Sequence, residues 1–141
     1  MKMKYSQIDP FEKDLKRLLK RFDYLNVDIE KAKTNAIELY HIEKINNRSV
    51  FPIPGFCFEN VVICKLKKFS CKVLKGRGNQ SGIRIIYAFY PAELKVEFIE
   101  IYYKADQEIE DRDRIKLYLE SVKLRKIVIR KSLIFLDENL S

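Results

Sequence analysis

The chain has 141 residues, of which 47% are hydrophobic and 34% charged, and its formal net charge is +8 at pH 7. These values are typical of one folded domain and exclude an intrinsically disordered chain. No apolar run reaches the roughly 20 residues that a bilayer-spanning helix needs, and the N-terminus lacks the apolar core of a secretory signal. We therefore expect a cytoplasmic protein that makes no membrane contact, and the basic charge favours a polyanionic partner such as a nucleic acid.

Three cysteines and one histidine bear on metal binding and redox chemistry: Cys57, Cys64, Cys71 and His41. The cysteines are odd in number and form no C-x-x-C pair, which favours reduced thiols over a disulfide or a structural zinc. His41 has no sequence neighbour that would orient it for catalysis, so we expect it on the surface or in a packing role. The sequence predicts neither a metal site nor a cofactor.

The first third of the chain predicts a short strand followed by two helices. Residues 4–8 have the length of a short strand. Asp9-Pro10-Phe11-Glu12 is typical of a helix start with Asp9 as N-cap. A second helix is expected from about residue 26 to 45, and the short turn before it predicts an antiparallel helical hairpin. We interpret the cations of the first helix as a solvated face rather than as RNA contacts.

The middle of the chain predicts a loop and then strands. Prolines and a glycine interrupt any periodicity over residues 46–60, which predicts a long loop. Val61–Leu66 and residues 70–74 then supply strand material. Ile83–Tyr90 and Lys95–Tyr103 are β-rich runs joined by Pro91-Ala92-Glu93-Leu94, a junction short enough for an antiparallel hairpin. The expected fold is a small α+β domain in the order β-α-α-β-β-β, with the helical hairpin packed on a four-stranded, mainly antiparallel sheet.

The C-terminal end is predicted less completely. An acidic cluster precedes a short helix over about residues 111–122, and we expect one domain over residues 1–120. Residues 121–141 form an extension in which basic residues separate two β-prone apolar runs. An added strand pair, a dimer contact and a poorly ordered appendage all remain open for it.

A basic tract beside the hairpin is the most informative feature of the sequence. Between Cys64 and Arg84 there is no acidic residue, and the cations of this span are Lys65, Lys67, Lys68, Lys72, Lys75, Arg77 and Arg84. Such a one-sided field favours contact with phosphates. The glycine-rich residues 76–82 lead into a strand rather than a helix and lack Gly-Lys-Ser/Thr, which argues against a nucleotide phosphate loop. These glycines predict a strand connection that needs positive φ.

Two motifs in the second half of the chain carry a family resemblance. They are L-K-G-x-G-x-x-S-G-I-R-x-I-Y over residues 74–87 and E-x-x-E-I-Y-x-K over residues 97–104. Together they resemble the RelE/ParE superfamily, the toxins of type II toxin–antitoxin modules, closely over about residues 64–104 and more loosely over about 5–120. The resemblance implies the β-α-α-β-β-β fold and an antitoxin that wraps the basic surface. In the RelE-like branch it implies metal-free cleavage of mRNA in the ribosomal A site, by attack of the 2′-hydroxyl to leave a 2′,3′-cyclic phosphate.

The resemblance also implies candidate site residues. For catalysis they are Lys72, Arg84, Lys104, Tyr102 and Glu100, and for RNA binding Lys65, Lys67, Lys68, Lys75 and Arg77. The cations would stabilise the phosphorane. Tyr102 would stack a base or donate a proton. Lys104 stands where some members carry an arginine, so it supplies charge without a bidentate fork.

Strand alternation predicts how these side chains are distributed over the sheet. It places Tyr87 in the core, on the face opposite Arg84, and it gives Tyr103 a packing role. It places Glu97 and Glu100 on opposite faces. Either glutamate is a possible general base, with pairing to the surrounding cations as the alternative.

The expected function is that of a ribosome-dependent mRNA endonuclease toxin, whose partners are a cognate antitoxin, mRNA and the ribosome. Two alternatives stay open. One is a ParE-like toxin that inhibits DNA gyrase without nuclease activity, and the other is an inactive, basic nucleic-acid-binding module.

Overall fold

Five strands form one sheet with helices on both faces in the computed structural model, which describes residues 2–67 and 82–140. The strands are β1 Lys4–Gln7, β2 Val50–Phe58, β3 Val61–Leu66, β4 Ile83–Tyr90 and β5 Lys95–Tyr103. The helices are α1 Asp9–Leu19, α2 Leu25–Ala32, α3 Leu39–His41 and α4 Arg112–Leu140, and a π-helical turn, Lys33–Glu38, joins α2 to α3. The strand order is β1-β5-β4-β3-β2. The predicted small α+β domain is thus confirmed.

The centre of the sheet is the antiparallel hairpin of β4 and β5, as predicted. β3 adds antiparallel to β4, and β2 adds antiparallel to β3. β1 lies parallel to the first half of β5, from Lys4 opposite Lys95 to Gln7 opposite Phe98. Among residues 2–67 and 82–140, the second half of β5 therefore has no strand beside it on that side.

The predicted loop over residues 46–60 is wrong, and with it the four-stranded sheet, because most of this segment is strand β2. β2 lies at one edge of the sheet. A proline in an edge strand breaks no ladder hydrogen bond when its nitrogen faces away from the sheet. Pro52 still lies opposite Cys64. The register shifts between Pro52 and Cys57, where Gly55 has a φ of +87°. A bulged edge strand thus accommodates residues that normally signal a loop.

The helices differ from the prediction in detail. α1 begins at Asp9 itself, and its N-cap is Ile8, which makes no side-chain capping bond, so the predicted Asp9 cap is wrong. In place of one second helix to about residue 45, the chain forms α2, the π-helical turn and α3, which ends at His41.

The helix predicted over about residues 111–122 forms, but its predicted end is wrong, because α4 runs for 29 residues. The β-prone runs of the extension lie inside this helix, which excludes an added strand pair. No glycine or proline follows Pro91 in the sequence, so nothing in the covalent chain interrupts helix propagation.

Two apolar cores lie on the two faces of the sheet. α1 and α2 cover one face, where Phe11, Leu25 and Tyr87 are fully buried. The first half of α4 covers the other face, where Ile115 and Leu119 pack against the sheet. The predicted core position of Tyr87 is confirmed.

Candidate nucleic-acid interface

Three strand ends meet at one end of the sheet. Because β3, β4 and β5 are antiparallel neighbours, the end of β3, the start of β4 and the end of β5 lie side by side. Arg84 lies directly opposite Tyr102, and the Lys104 N–H donates to the carbonyl oxygen of Gly82 at 2.8 Å. Cations that are distant in sequence are thereby collected at this end. We call the following set the basic end: Lys65, Lys67, Arg84 and Lys104.

Lys65 of β3 and Lys67 just beyond it both interact with other side chains of the molecule. The Lys65 ammonium forms an ion pair with Glu110, and the Lys67 ammonium lies 4.4 Å from the ring centroid of Phe51. Burial alone would raise the pKa of the Glu110 carboxyl. The Lys65 ammonium and further hydrogen bonds outweigh the effect of burial, so the pKa of Glu110 is lowered. Arg112 shares this carboxylate at 3.2 Å. The charge of Lys65, a predicted RNA-binding residue, is thus partly neutralised by the segment that leads into α4.

Arg84 and Lys104 have different surroundings. Arg84 is half-buried, and its Nη1 donates to the carbonyl oxygen of Ile83 at 3.2 Å. Lys104 is exposed just beyond β5. The backbone register therefore brings a guanidinium-bearing residue at a strand start near a residue with an exposed ammonium, and both groups are donors that suit a phosphate group.

Tyr102 is on the same face as Arg84 but is only 5% exposed. Burial raises the pKa of its phenol to about 12, with the nearby carboxylates of Glu110 and Glu100 adding to the effect and Arg84 opposing it. Tyr102 is therefore protonated at neutral pH and is chemically a proton donor. Its covered ring offers no open face for base stacking in this arrangement.

Glu100 is a structural residue rather than a free base. It is 3% exposed, its Oε1 accepts the N–H of Asp111 at 2.8 Å, and its Oε2 accepts Nε2 of Gln107 at 2.7 Å. Burial raises the pKa of Glu100, and these two hydrogen bonds oppose the rise. Since both oxygens bind the segment that leads into α4, Glu100 fixes that segment to β5.

The prediction that Glu97 and Glu100 lie on opposite faces is wrong. β5 bulges at Ile99, where the register shifts so that Ile86 lies opposite Glu100 while Tyr87 lies opposite Phe98. One extra residue between the two glutamates turns both toward α4. On that face, Glu97 accepts a hydrogen bond from the Tyr118 hydroxyl at 2.7 Å.

Other predicted residues fall into three groups. Lys68, Lys72, Lys75 and Arg77 lie outside the described residues, as do Cys71 and the expected strand over residues 70–74. His41 has the expected packing role, since it is 7% exposed and its Nε2 lies 2.7 Å from the Tyr87 hydroxyl. Tyr103 packs edge-on against Phe22, as expected.

Sequence reasoning missed the residues that hold α4 over the site. Arg114 of α4 donates to Asp14 of α1 at 2.6 Å and to the Ile99 carbonyl oxygen at 3.1 Å. The Arg114 side chain therefore links α4 on one face of the sheet to α1 on the other face. The acidic cluster before α4 was visible in the sequence, but nothing in the sequence indicated that Glu110 pairs with Lys65.

Comparisons of the chain with protein-family models, with curated proteins and with solved structures find no match. Across residues 2–67 and 82–140, no helix has both the length and the apolar character needed to cross a bilayer. Within the same ranges, no group of three or more His, Cys, Asp or Glu side chains is arranged to hold a metal ion.

Proposed function

We propose that the basic end binds the sugar–phosphate backbone of RNA, and that the protein is a RelE-like toxin that cleaves mRNA on the ribosome and is neutralised by a cognate antitoxin. The observation that carries the proposal is the meeting of Arg84 and Lys104 at one end of the sheet. The chain leaves this end at Lys67 and returns to it at Gly82. The sequence in between is basic and contains no acid.

Arg84 and Lys104 carry the two kinds of donor that would bind a phosphate group. The guanidinium of Arg84 can bind two phosphate oxygens at once, while the ammonium of Lys104 supplies a point charge. In the cleavage step, the 2′-oxygen forms a bond to phosphorus and the bond from phosphorus to the 5′-oxygen breaks. The two cations would stabilise the additional negative charge on the phosphorane between these events.

The two proton transfers of the cleavage reaction limit the roles that Tyr102 and Glu100 could have. The 2′-hydroxyl must lose a proton and the departing 5′-oxygen must gain one. Tyr102, with a pKa raised to about 12, is suited to the second task only. It would first have to be uncovered by a shift of the segment that follows β5. Glu100 is engaged through both oxygens and is not suited to the first task.

A second candidate function is RNA binding without cleavage. It is favoured by the engagement of Glu100 and by the burial of Tyr102, which leave neither of them ready for proton transfer. Inhibition of DNA gyrase stays a prediction, because no feature of this site tests it.

Expression in cells tests the proposal and separates the two candidates. We would compare the wild type with the variant Arg84→Gln/Lys104→Gln and map new mRNA 5′ ends. The matched control is Lys13→Gln/Lys31→Gln, which removes the same charge from exposed positions of α1 and α2. Cuts phased to codons with the wild type and the control, but not with the first variant, are expected. Growth arrest without cuts would overturn cleavage, and identical cuts from all three proteins would overturn the assigned residues.

A further inference from the structure

A carboxylate lies among the cations of the basic end. Glu110, just before α4, is 8% exposed and forms ion pairs with the Lys65 ammonium and, at 3.2 Å, with Nη1 of Arg112. Both cations keep contact with solvent, since the side chains of Lys65 and Arg112 are 22% and 47% exposed. A buried anion between an ammonium and a guanidinium marks a position at which the same cations can bind a different anion.

This carboxylate lies on the face of the sheet that carries Arg84 and Tyr102. Lys65 is opposite Ile86, which is two residues from Arg84 along β4. Residues two apart on a strand point to the same face, so Lys65 and Arg84 are diagonal neighbours about 7–8 Å apart. After burial, the charge of Glu110 is the largest influence that raises the pKa of Tyr102, so the carboxylate is close to this phenol. Phosphates that follow one another along a single strand can therefore reach both Lys65 and Arg84.

We propose that Glu110 occupies a second phosphate-binding position of the basic end, formed by Lys65 and Arg112, and that RNA takes this position by displacing the carboxylate. This second position rests on the proposed function, because its ligand is a further phosphate of the RNA that binds Arg84 and Lys104. A phosphodiester group carries one negative charge and two acceptor oxygens, as a carboxylate does, so it satisfies both cations in place of Glu110. The position is thus closed in the free protein and opens for a ligand that brings its own negative charge.

The anchoring of the segment around Glu110 limits the movement that displacement requires. Gln107 and Asp111, on either side of Glu110, are both held by the carboxylate of Glu100. Residues 108 and 109 between them are exposed. The side chain of Glu110 can therefore move out while β5 and α4 stay in place.

Glu110→Gln tests the displacement, because the amide keeps the shape of the side chain and carries no charge. It is expected to tighten the binding of a labelled single-stranded RNA, measured by fluorescence anisotropy, roughly tenfold. The matched control is Glu108→Gln, which removes the same charge from an exposed position of the same segment and is expected to tighten binding only about twofold. In the background of Lys65→Gln, Glu110→Gln is expected to lose most of its effect. Circular dichroism of each variant checks that it is folded.

Lys65→Gln tests the same position without a change at Glu110. It is expected to reduce the magnitude of the slope of log K against log salt concentration by about 0.7, the contribution of one phosphate contact in a single strand. An unchanged slope overturns the second position. So does a gain in affinity from Glu110→Gln that is no larger than the gain from Glu108→Gln.

The variant Arg84→Gln/Lys104→Gln separates this failure from a failure of the proposed function. If it reduces the slope and Lys65→Gln does not, RNA binds at the basic end and only the second position is wrong. If neither variant reduces the slope, or if the wild type and Glu110→Gln both fail to bind RNA, the proposed function and the second position are overturned together.

Discussion

The pH dependence of stability tests the position of His41 in the core. The ring of His41 stacks on Phe89 with 4.0 Å between ring centroids, and its Nε2 lies 2.7 Å from the hydroxyl of Tyr87. Burial lowers the pKa of His41 from 6.5 to about 4, and the charge of Lys44 adds to this effect. The folded protein therefore holds the imidazole neutral over a range in which the unfolded chain protonates it.

The sign and size of the effect follow from this difference. Between pH 6.5 and about 4 the unfolded state binds more protons, so the free energy of unfolding falls as the pH falls. At about pH 5, roughly 1.5 units below the unfolded pKa, the limit is about 2 kcal/mol at 1.36 kcal/mol per unit. Partial contact with solvent reduces the expected loss to about 1–2 kcal/mol.

The assay is urea unfolding at about pH 7.5 and about pH 5, for the wild type and for His41→Gln. The glutamine keeps a hydrogen-bonding group near Tyr87 but does not titrate. Glu100 and Glu110, whose pKa values are raised and lowered respectively, contribute equally to both proteins and cancel in the comparison. The wild type is expected to lose about 1–2 kcal/mol more than the variant on acidification. Equal losses in the two proteins would refute the buried, neutral His41.

Two further predictions concern backbone conformation and the attachment of α4. Gly82 and Gly55 have φ of +86° and +87°, but a Cβ at Gly82 would lie 2.9 Å from the Tyr103 ring, while one at Gly55 would have nothing within 4 Å. Gly82→Ala should therefore destabilise the protein by about 2–3 kcal/mol and Gly55→Ala by about 1 kcal/mol in urea unfolding, and equal losses would contradict the reasoning. Tyr118→Phe removes a hydroxyl that donates to Glu97 at 2.7 Å and also forms a hydrogen bond with the Tyr90 hydroxyl, and it should lower the free energy of unfolding by about 1–2 kcal/mol, so an unchanged value would count against these contacts.

The centre of the fold was predictable because its signals are local. β4 and β5 are rich in β-branched and aromatic residues, and Gly82 and Pro91 bound β4. Both strands have the predicted limits. β2 was missed because prolines in an outermost strand look like loop residues. The second half of α4 was missed because the β-propensity of residues 127–136 is overridden by helix propagation from the well-packed first half.

The candidate site was predictable only in part. That the start of β4 lies beside the end of β5 follows from the hairpin alone. The pairing of Arg84 with Tyr102 and the direction of Glu100 do not, because both depend on the bulge at Ile99, which has no signature in the sequence. The engagement of Lys65 by Glu110 depends on where α4 begins over the sheet, which is a tertiary feature.

The most direct test of the central claim is the salt dependence of RNA binding, measured by fluorescence anisotropy with a labelled single-stranded RNA. Each phosphate contact in a single strand contributes about 0.7 to the slope of log K against log salt concentration. Arg84→Gln/Lys104→Gln should therefore reduce the magnitude of that slope by about 1.4, a larger reduction than that produced by Lys13→Gln/Lys31→Gln. The same change in slope for both double variants would contradict the claim that RNA binds at the basic end.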